Sequence, residues 1–131
     1  MLLIHVDGGA RGNPGPAAIG VVIARADGSV IEELAEPIGV ATNNVAEYRA
    51  VLTALQRARE LGESEIQLVG DSELVARQLQ GLYTVKHPAM RELHAAARAL
   101  LDGFASWSIR TVPRSQNARA DALVNAALDA L

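Results

Sequence analysis

The spacing of apolar and polar residues assigns most elements of this chain. Leu2 to Val6 is an apolar run of strand length that ends at Asp7. The next stretch, Gly8-Gly9-Ala10-Arg11-Gly12-Asn13-Pro14-Gly15-Pro16, has the residues of a loop throughout. Ala18 to Ala24 is rich in β-branched residues, Asp27-Gly28 is a hairpin turn signal, and Val30 to Ile38 is the returning partner. Three strands in an antiparallel meander are the simplest account. Thr42-Asn43-Asn44 then precedes a helical pattern running to about Leu61, with Gly62 as its stop. Ile66 to Val69 is a short buried strand. Helical patterns follow over about Ser72–Gln80 and over Pro88–Leu101, where Pro88 suits a first helical position. Trp107 to Val112 is a last strand and about Gln116 to Leu131 a last helix. A meander followed by strand–helix alternation predicts an α/β fold, a mixed sheet with helices on both faces.

Composition narrows the picture only in part. The chain has 131 residues, enough for one domain over 1–131, and half of them are apolar, enough for a real core. It has no cysteine, which excludes disulfides and thiolate metal sites. No stretch approaches membrane-spanning length and the first residues do not form a signal peptide, so a cytoplasmic protein without membrane attachment is expected. The net charge of −3 runs against the basic footprint of most nucleic-acid binders, although catalytic carboxylates neutralised by metal ions would account for part of it.

Of the fifteen acidic residues, most have the placement of solvated charges, Glu32 and Glu33 among them, and four do not. Asp7 and Asp71 each end a strand. If those strands are parallel neighbours, both carboxylates enter the crevice where open α/β sheets bind ligands; taken singly, each also suits a cap or turn. Glu47 lies on the helical face of Ala50, Val51, Ala54, Ala58 and Leu61, and Asp121 on the stripe of Val124, Leu128 and Leu131. A charge on a core-facing stripe is costly unless it is paired or metal-bound, or reaches water at an edge. Four such carboxylates converging on one point would suit hard divalent cations, and a pair of these cleaves phosphodiesters.

Four segments then match one pattern. Asp7 with its Gly-Asn-Pro-Gly loop, Thr42-Asn43-Asn44-Val45-Ala46-Glu47, Gly70-Asp71-Ser72 and Val112-Pro113-Arg114-Ser115-Gln116-Asn117-Ala118-Arg119-Ala120-Asp121 stand in order along nearly the whole chain. Together they resemble the ribonuclease H type 1 family in its short prokaryotic form, without an N-terminal hybrid-binding domain. The resemblance implies a five-stranded mixed sheet, three antiparallel strands then two parallel, flanked by helices. It implies an endonuclease that cuts the RNA strand of an RNA–DNA hybrid with two Mg²⁺ ions, or Mn²⁺ in their place, and leaves 5′-phosphate and 3′-hydroxyl ends. Asp7, Glu47, Asp71 and Asp121 are then both catalytic residues and metal ligands, with Asp7 bridging the ions.

By the same resemblance Asn43 and Asn44 reach the minor groove, the backbone of Gly9 and Ala10 lies beside the RNA, and Asn13 and Thr42 stand near phosphates. For the two Asn, helix capping is the structural reading, and both roles can hold together. Tyr83 and Lys86 resemble a segment that meets the DNA strand. Only RNA presents 2′-hydroxyls, which is how such contacts tell the strands apart. A working monomer is expected.

Departures from the family pattern matter as well. Many members carry a His in the loop before the last Asp. Here Arg114-Ser115-Gln116-Asn117 stands instead, so Arg114 is either phosphate-facing or a plain surface residue. Glu73 stands where many relatives have Gln. Lys86 is the single Lys, which predicts weaker and more salt-sensitive binding than in basic relatives. His5, His87 and His94 lack ligand spacing and are assigned to packing or surface, and Trp107 to the core. Asn125, one turn after Asp121, is either a rim residue or a partner that orients Asp121.

Three other readings compete. Gly9, Gly12 and Gly15 satisfy a loose dinucleotide-loop spacing, but Pro14 and Pro16 intervene and a strand follows where a helix should start. A non-catalytic binding module would be favoured if one of the four carboxylates were missing. An enzyme of the same superfamily acting on double-stranded RNA differs only in groove-fitting contacts.

Overall fold

The computed structural model describes residues 1–131. The meander is β1 (Leu2–Ala10), β2 (Gly15–Arg25) and β3 (Val30–Ala41), followed by α1 (Asn43–Glu60), β4 (Glu65–Gly70), α2 (Glu73–Leu79) and α3 (Pro88–Leu101). The chain ends with β5 (Ser106–Thr111), a 3₁₀ turn (Arg114–Asn117) and α4 (Ala118–Asp129). The five strands stand in the order β3-β2-β1-β4-β5. β1–β2 and β2–β3 are antiparallel, while β1–β4 and β4–β5 are parallel. The mixed five-stranded sheet, three antiparallel strands then two parallel, is the one expected.

The first two strands are longer than expected. Ladder pairing continues through Gly8 with Ile19, Gly9 with Ala18 and Ala10 with Ala17, so the connection shrinks to Arg11–Pro14 and Asp7 lies inside a strand. The glycines that resemble a loop are there for another reason. A Cβ on Gly8 would stand 2.2 Å from the carbonyl carbon of Ala46, so only glycine lets the backbone of α1 rest on β1.

β2 is buried along nearly its whole length because helices cover both its faces. On one face Ile19, Val21 and Ile23 join Ile4 and Val6 against Tyr48, Val51 and Leu55 of α1 and Leu79 and Leu101 of α2 and α3. On the other, Ala18 meets Val124, Ala127 and Leu128 of α4. α1 is a helix of small residues on its inner face, started by Thr42, whose Oγ1 accepts from the Val45 amide at 3.2 Å. Gly62, at φ 77, ends it. Leu61 and Leu131, placed on core stripes by spacing, lie at or past the helix ends and are exposed. Trp107 packs half-buried against the core with the Arg98 guanidinium 5.3 Å over its ring.

Candidate active site

Parallel pairing brings the strand-borne carboxylates together. β1 and β4 run in register from Leu2 with Ile66 to His5 with Val69, and continuing that offset sets Asp7 opposite Asp71. Glu47 arrives from the first turns of α1, held close by the Gly8 approach. Asp7 is 5% exposed and Glu47 9%. One oxygen from each of Asp7, Glu47 and Asp71 lies within 4.8 Å of the other two. Asp121 enters the same cleft from α4 but stands outside that trio. Its Oδ1 accepts from Arg114 at 3.1 Å, and Asn125 Nδ2 sits 3.1 Å from its backbone carbonyl and 3.4 Å from its Oδ2. The cleft encloses about 460 Å³ and is lined also by the backbone of Gly8 to Ala10 and by Asn43, Arg11 and Arg114.

Three carboxylates in this space repel one another. Burial, then the charge of Asp71, pushes the Asp7 carboxyl up to about 7, with the Glu47 carboxyl's hydrogen bond acting in the opposite direction. Burial, then the charges of Asp7 and Asp71, raises Glu47 well above the usual carboxylate range. Asp71 is raised by its burial, with Arg114 as the opposing charge. Burial and mutual repulsion thus favour the protonated form of the Asp7–Glu47 pair. An all-oxygen trio this crowded fits a hard divalent cation, whose charge would relieve the repulsion.

The remaining expected residues divide into those the structure brings to the cleft and those it does not. Gly9, Ala10, Asn43 and Arg114 line it. Asn43 is not a cap, since Thr42 takes that position; its Oδ1 accepts from the Ala10 backbone N–H at 2.9 Å, and its own backbone N–H donates to Asn13 Oδ1 at 3.0 Å. Asn13 thus holds the Asn43 backbone, Thr42 caps α1 next to it, and Asn44 is exposed on the first turn of α1. Tyr83 and Lys86 are exposed on the segment between α2 and α3 and are not part of the cleft; Tyr83 lines a separate hollow with Arg91 and His94. Glu73 pairs with Arg77 on the surface of α2. His87 caps α3 through Nδ1, and His94 packs edge-on against Tyr48.

Of the two readings of Asn125, the structure shows the partner of Asp121, and one residue to which the sequence assigned no role, Arg11, lines the cleft while paired to Asp129 at 2.5 Å.

A family model described as reverse transcriptase-like matches residues 5–127. The solved RNase H1 from Halobacterium salinarum superposes with a TM-score of 0.97 at 48% identity, covering 99% of this chain and 98% of that one. The chain belongs to the ribonuclease H type 1 family. LC11-RNase H1, solved in complex with an RNA/DNA hybrid, superposes at 0.94 with 43% identity over 98% of this chain and 97% of that one. Among curated relatives, the Ribonuclease HI of Halobacterium salinarum is 50% identical over 95% of this chain. The bifunctional protein Rv2228c of Mycobacterium tuberculosis is 46% identical over 98% of it. The chain spans 63% of the first relative's length and 36% of the second's. Within the ribonuclease H family, then, the likeness covers this whole sheet and its helices. No helix here is long and apolar enough to cross a membrane.

Proposed function

We propose that residues 1–131 form one ribonuclease H catalytic domain, an endonuclease that hydrolyses the RNA strand of an RNA–DNA hybrid and leaves 5′-phosphate and 3′-hydroxyl ends. The observation that carries this is the convergence of Asp7, Glu47 and Asp71 to within 4.8 Å, with Asp121 beside them. Support comes from the end-to-end likeness to solved ribonucleases H, one of them in complex with a hybrid.

Asp7, Glu47, Asp71 and Asp121 would hold two Mg²⁺ ions, with Mn²⁺ able to substitute. When bound, such ions supply an activated water for attack on phosphorus and neutralise the developing charge. The chain's own residues choose and place the substrate. Asn43 has its Oδ1 engaged by Ala10, so its Nδ2 is the group it offers to a minor groove carrying 2′-hydroxyls. The backbone of Gly9 and Ala10, which lines the cleft, would lie beside the RNA strand. Arg114 keeps most of its guanidinium in solvent at the mouth of the cleft, where a phosphate can share it with Asp121. Asn13, Thr42 and Asn44 hold or flank this wall, and Tyr83 and Lys86 would meet the DNA strand outside it. The cytoplasmic monomer expected from the sequence belongs to the same proposal.

The test is cleavage of end-labelled RNA–DNA, RNA–RNA and DNA–DNA duplexes, and of a hybrid with one ribonucleotide, under Mg²⁺, Mn²⁺ or EDTA. The expected result is metal-dependent cutting of the RNA–DNA hybrid that Asp7→Asn abolishes. A hybrid left intact under every metal would mean that the carboxylates serve other chemistry, and cutting of the RNA duplex as well would widen the substrate class.

A further inference from the structure

Beneath the carboxylates, where β1 and β4 stop pairing, lies a buried amide. The last parallel pair is His5 with Val69; β1 continues to Ala10, whereas β4 ends at Gly70. The 3₁₀ turn packs against both strands at this fork, and its last residue is Asn117, 1% exposed. Asn117 Nδ2 donates to the Val6 carbonyl at 2.8 Å. A carbonyl can only accept, so this bond sets which way the amide faces. Its Oδ1 is then buried with no donor. Buried polar atoms without partners are uncommon in folded proteins, and each calls for a reason. Helix capping is not that reason, because the Asn117 side chain makes no cap hydrogen bond to α4.

We infer that Asn117 is a positioning residue, a wedge in the β1–β4 fork that sets the spacing of Asp7, Asp71 and Asp121. Asp7 follows Val6, the residue Asn117 grips. Asp71 follows Gly70, where an added Cβ would lie 3.5 Å from that same Val6 carbonyl. Asp121 stands one turn along α4, the helix that Asn117 immediately precedes. Asn117 is therefore bonded directly to the strand that carries Asp7 and immediately precedes the helix that carries Asp121, and its turn packs against the strand that leads to Asp71. Glu47 comes independently, from α1. An aliphatic residue in this dry fork would leave no orphaned Oδ1 but would strip the Val6 carbonyl of its donor, so the amide's specific act is to hold β1 at Val6. Cation affinity and turnover both depend on where the carboxylate oxygens stand.

This inference rests on the metal-dependent reading above. It is tested with Asn117→Ala and Asn117→Ser, and with Ile109→Ala in β5 as a core-destabilised control away from the cleft. Four quantities are measured: Mn²⁺ binding to the nucleic-acid-free protein by calorimetry, kcat and KM for the hybrid, and Tm. We expect the Asn117 variants to bind Mn²⁺ about tenfold more weakly and to lose about tenfold or more in kcat, with KM for the hybrid little changed. Ile109→Ala should lose Tm yet keep the parent's Mn²⁺ affinity. Asn117 variants with parental Mn²⁺ affinity and kcat but lower Tm would overturn the wedge, as would failure of both variants to fold, which makes the residue structural. A parent that neither binds Mn²⁺ nor cuts the hybrid sinks the functional reading with it, whereas a competent parent with indifferent variants sinks the wedge alone.

Discussion

The two faces of β2 are built differently. Toward α1 it presents Ile19, Val21 and Ile23 to a cluster of 21 buried residues; toward α4 the buried cluster has only four. Where the first face relies on volume, the second relies on close approach. A Cβ on Gly20 would stand 2.3 Å from the Ala120 carbonyl oxygen, so α4 lies almost directly on the strand. Little apolar area is removed from water there, and the hydrophobic contribution is correspondingly small. What remains to place α4 is a set of individual polar ties: Asn117 to Val6, Arg119 to Glu33 and Arg11 to Asp129. Glu47 and Asp7 are thus carried by the thick side of the molecule, and Asp121 by the thin side. The difference suggests that a site can combine ligands on a rigid core with one on an element that is adjusted locally.

The strongest way to break this comparison is to put a methyl group under each helix. Gly8→Ala should cost more than about 3 kcal/mol, because α1 is locked into the large core and cannot retreat. Gly20→Ala should cost about 2–3 kcal/mol, because α4 can lift, and it should lower hybrid cleavage by moving Asp121. Urea unfolding of the two variants checks both; a Gly20→Ala as costly as Gly8→Ala would mean that α4 is as firmly seated as α1.

Core truncation should show the same asymmetry. Leu55→Ala is expected to lose roughly 2–5 kcal/mol, as deletions in closed cores do, and Leu128→Ala near or below the low end of that range. Amide hydrogen exchange should accordingly show α4 opening at lower free energy than α1 or β1. Equal protection of the two helices would remove the distinction.

The carboxylates supply a smaller effect with a definite sign. Asp7 has its folded-state carboxyl raised from 3.8 to about 7, so the fold favours its protonated form. Stability from this group is fully present below the unfolded value and is lost as pH rises toward about 7. The cation-free protein should therefore melt at lower temperature at pH 8 than at pH 5. Asp7→Asn should raise stability at pH 8 by roughly 1–3 kcal/mol and flatten the pH profile. Added Mg²⁺ should stabilise the parent at pH 8 but not the variant, which scanning calorimetry in EDTA and in Mg²⁺ would show. The smallest expected change is that of Arg119→Ala, which removes an exposed ion pair from the thin face; its loss of Tm should shrink further in high salt.

How much of this was legible beforehand depends on the range of the interaction involved. Glu47 and Asp121 stood out because a carboxylate on an apolar helical stripe is a local contradiction, visible within a few residues. Glu32 and Glu33, by contrast, have the pattern of solvated charges, yet they pair with Arg57 and Arg119 on two different helices. No pattern within a strand carries information about a partner on another element. The same holds for Gly8 and Gly9, whose composition is that of a loop although both lie in a strand. A backbone-to-backbone approach from α1 leaves the same glycine in the sequence as a turn would.

Hydrophobic period, capping residues and the four carboxylate-bearing segments were therefore enough to determine the meander, the later strand–helix alternation, the family and the acidic residues of interest, since each signal is contained in a short stretch of chain. Only the tertiary structure decided that Asp7 lies inside a strand, that Thr42 and not an Asn caps α1, that Tyr83 and Lys86 stand apart from the cleft, and that Asn117 sits in the fork beneath it. Most of those outcomes turn on which surfaces meet in three dimensions, at separations that run from Asp7 with Gly20 to Asn117 with Val6, and that is settled by packing the whole chain at once.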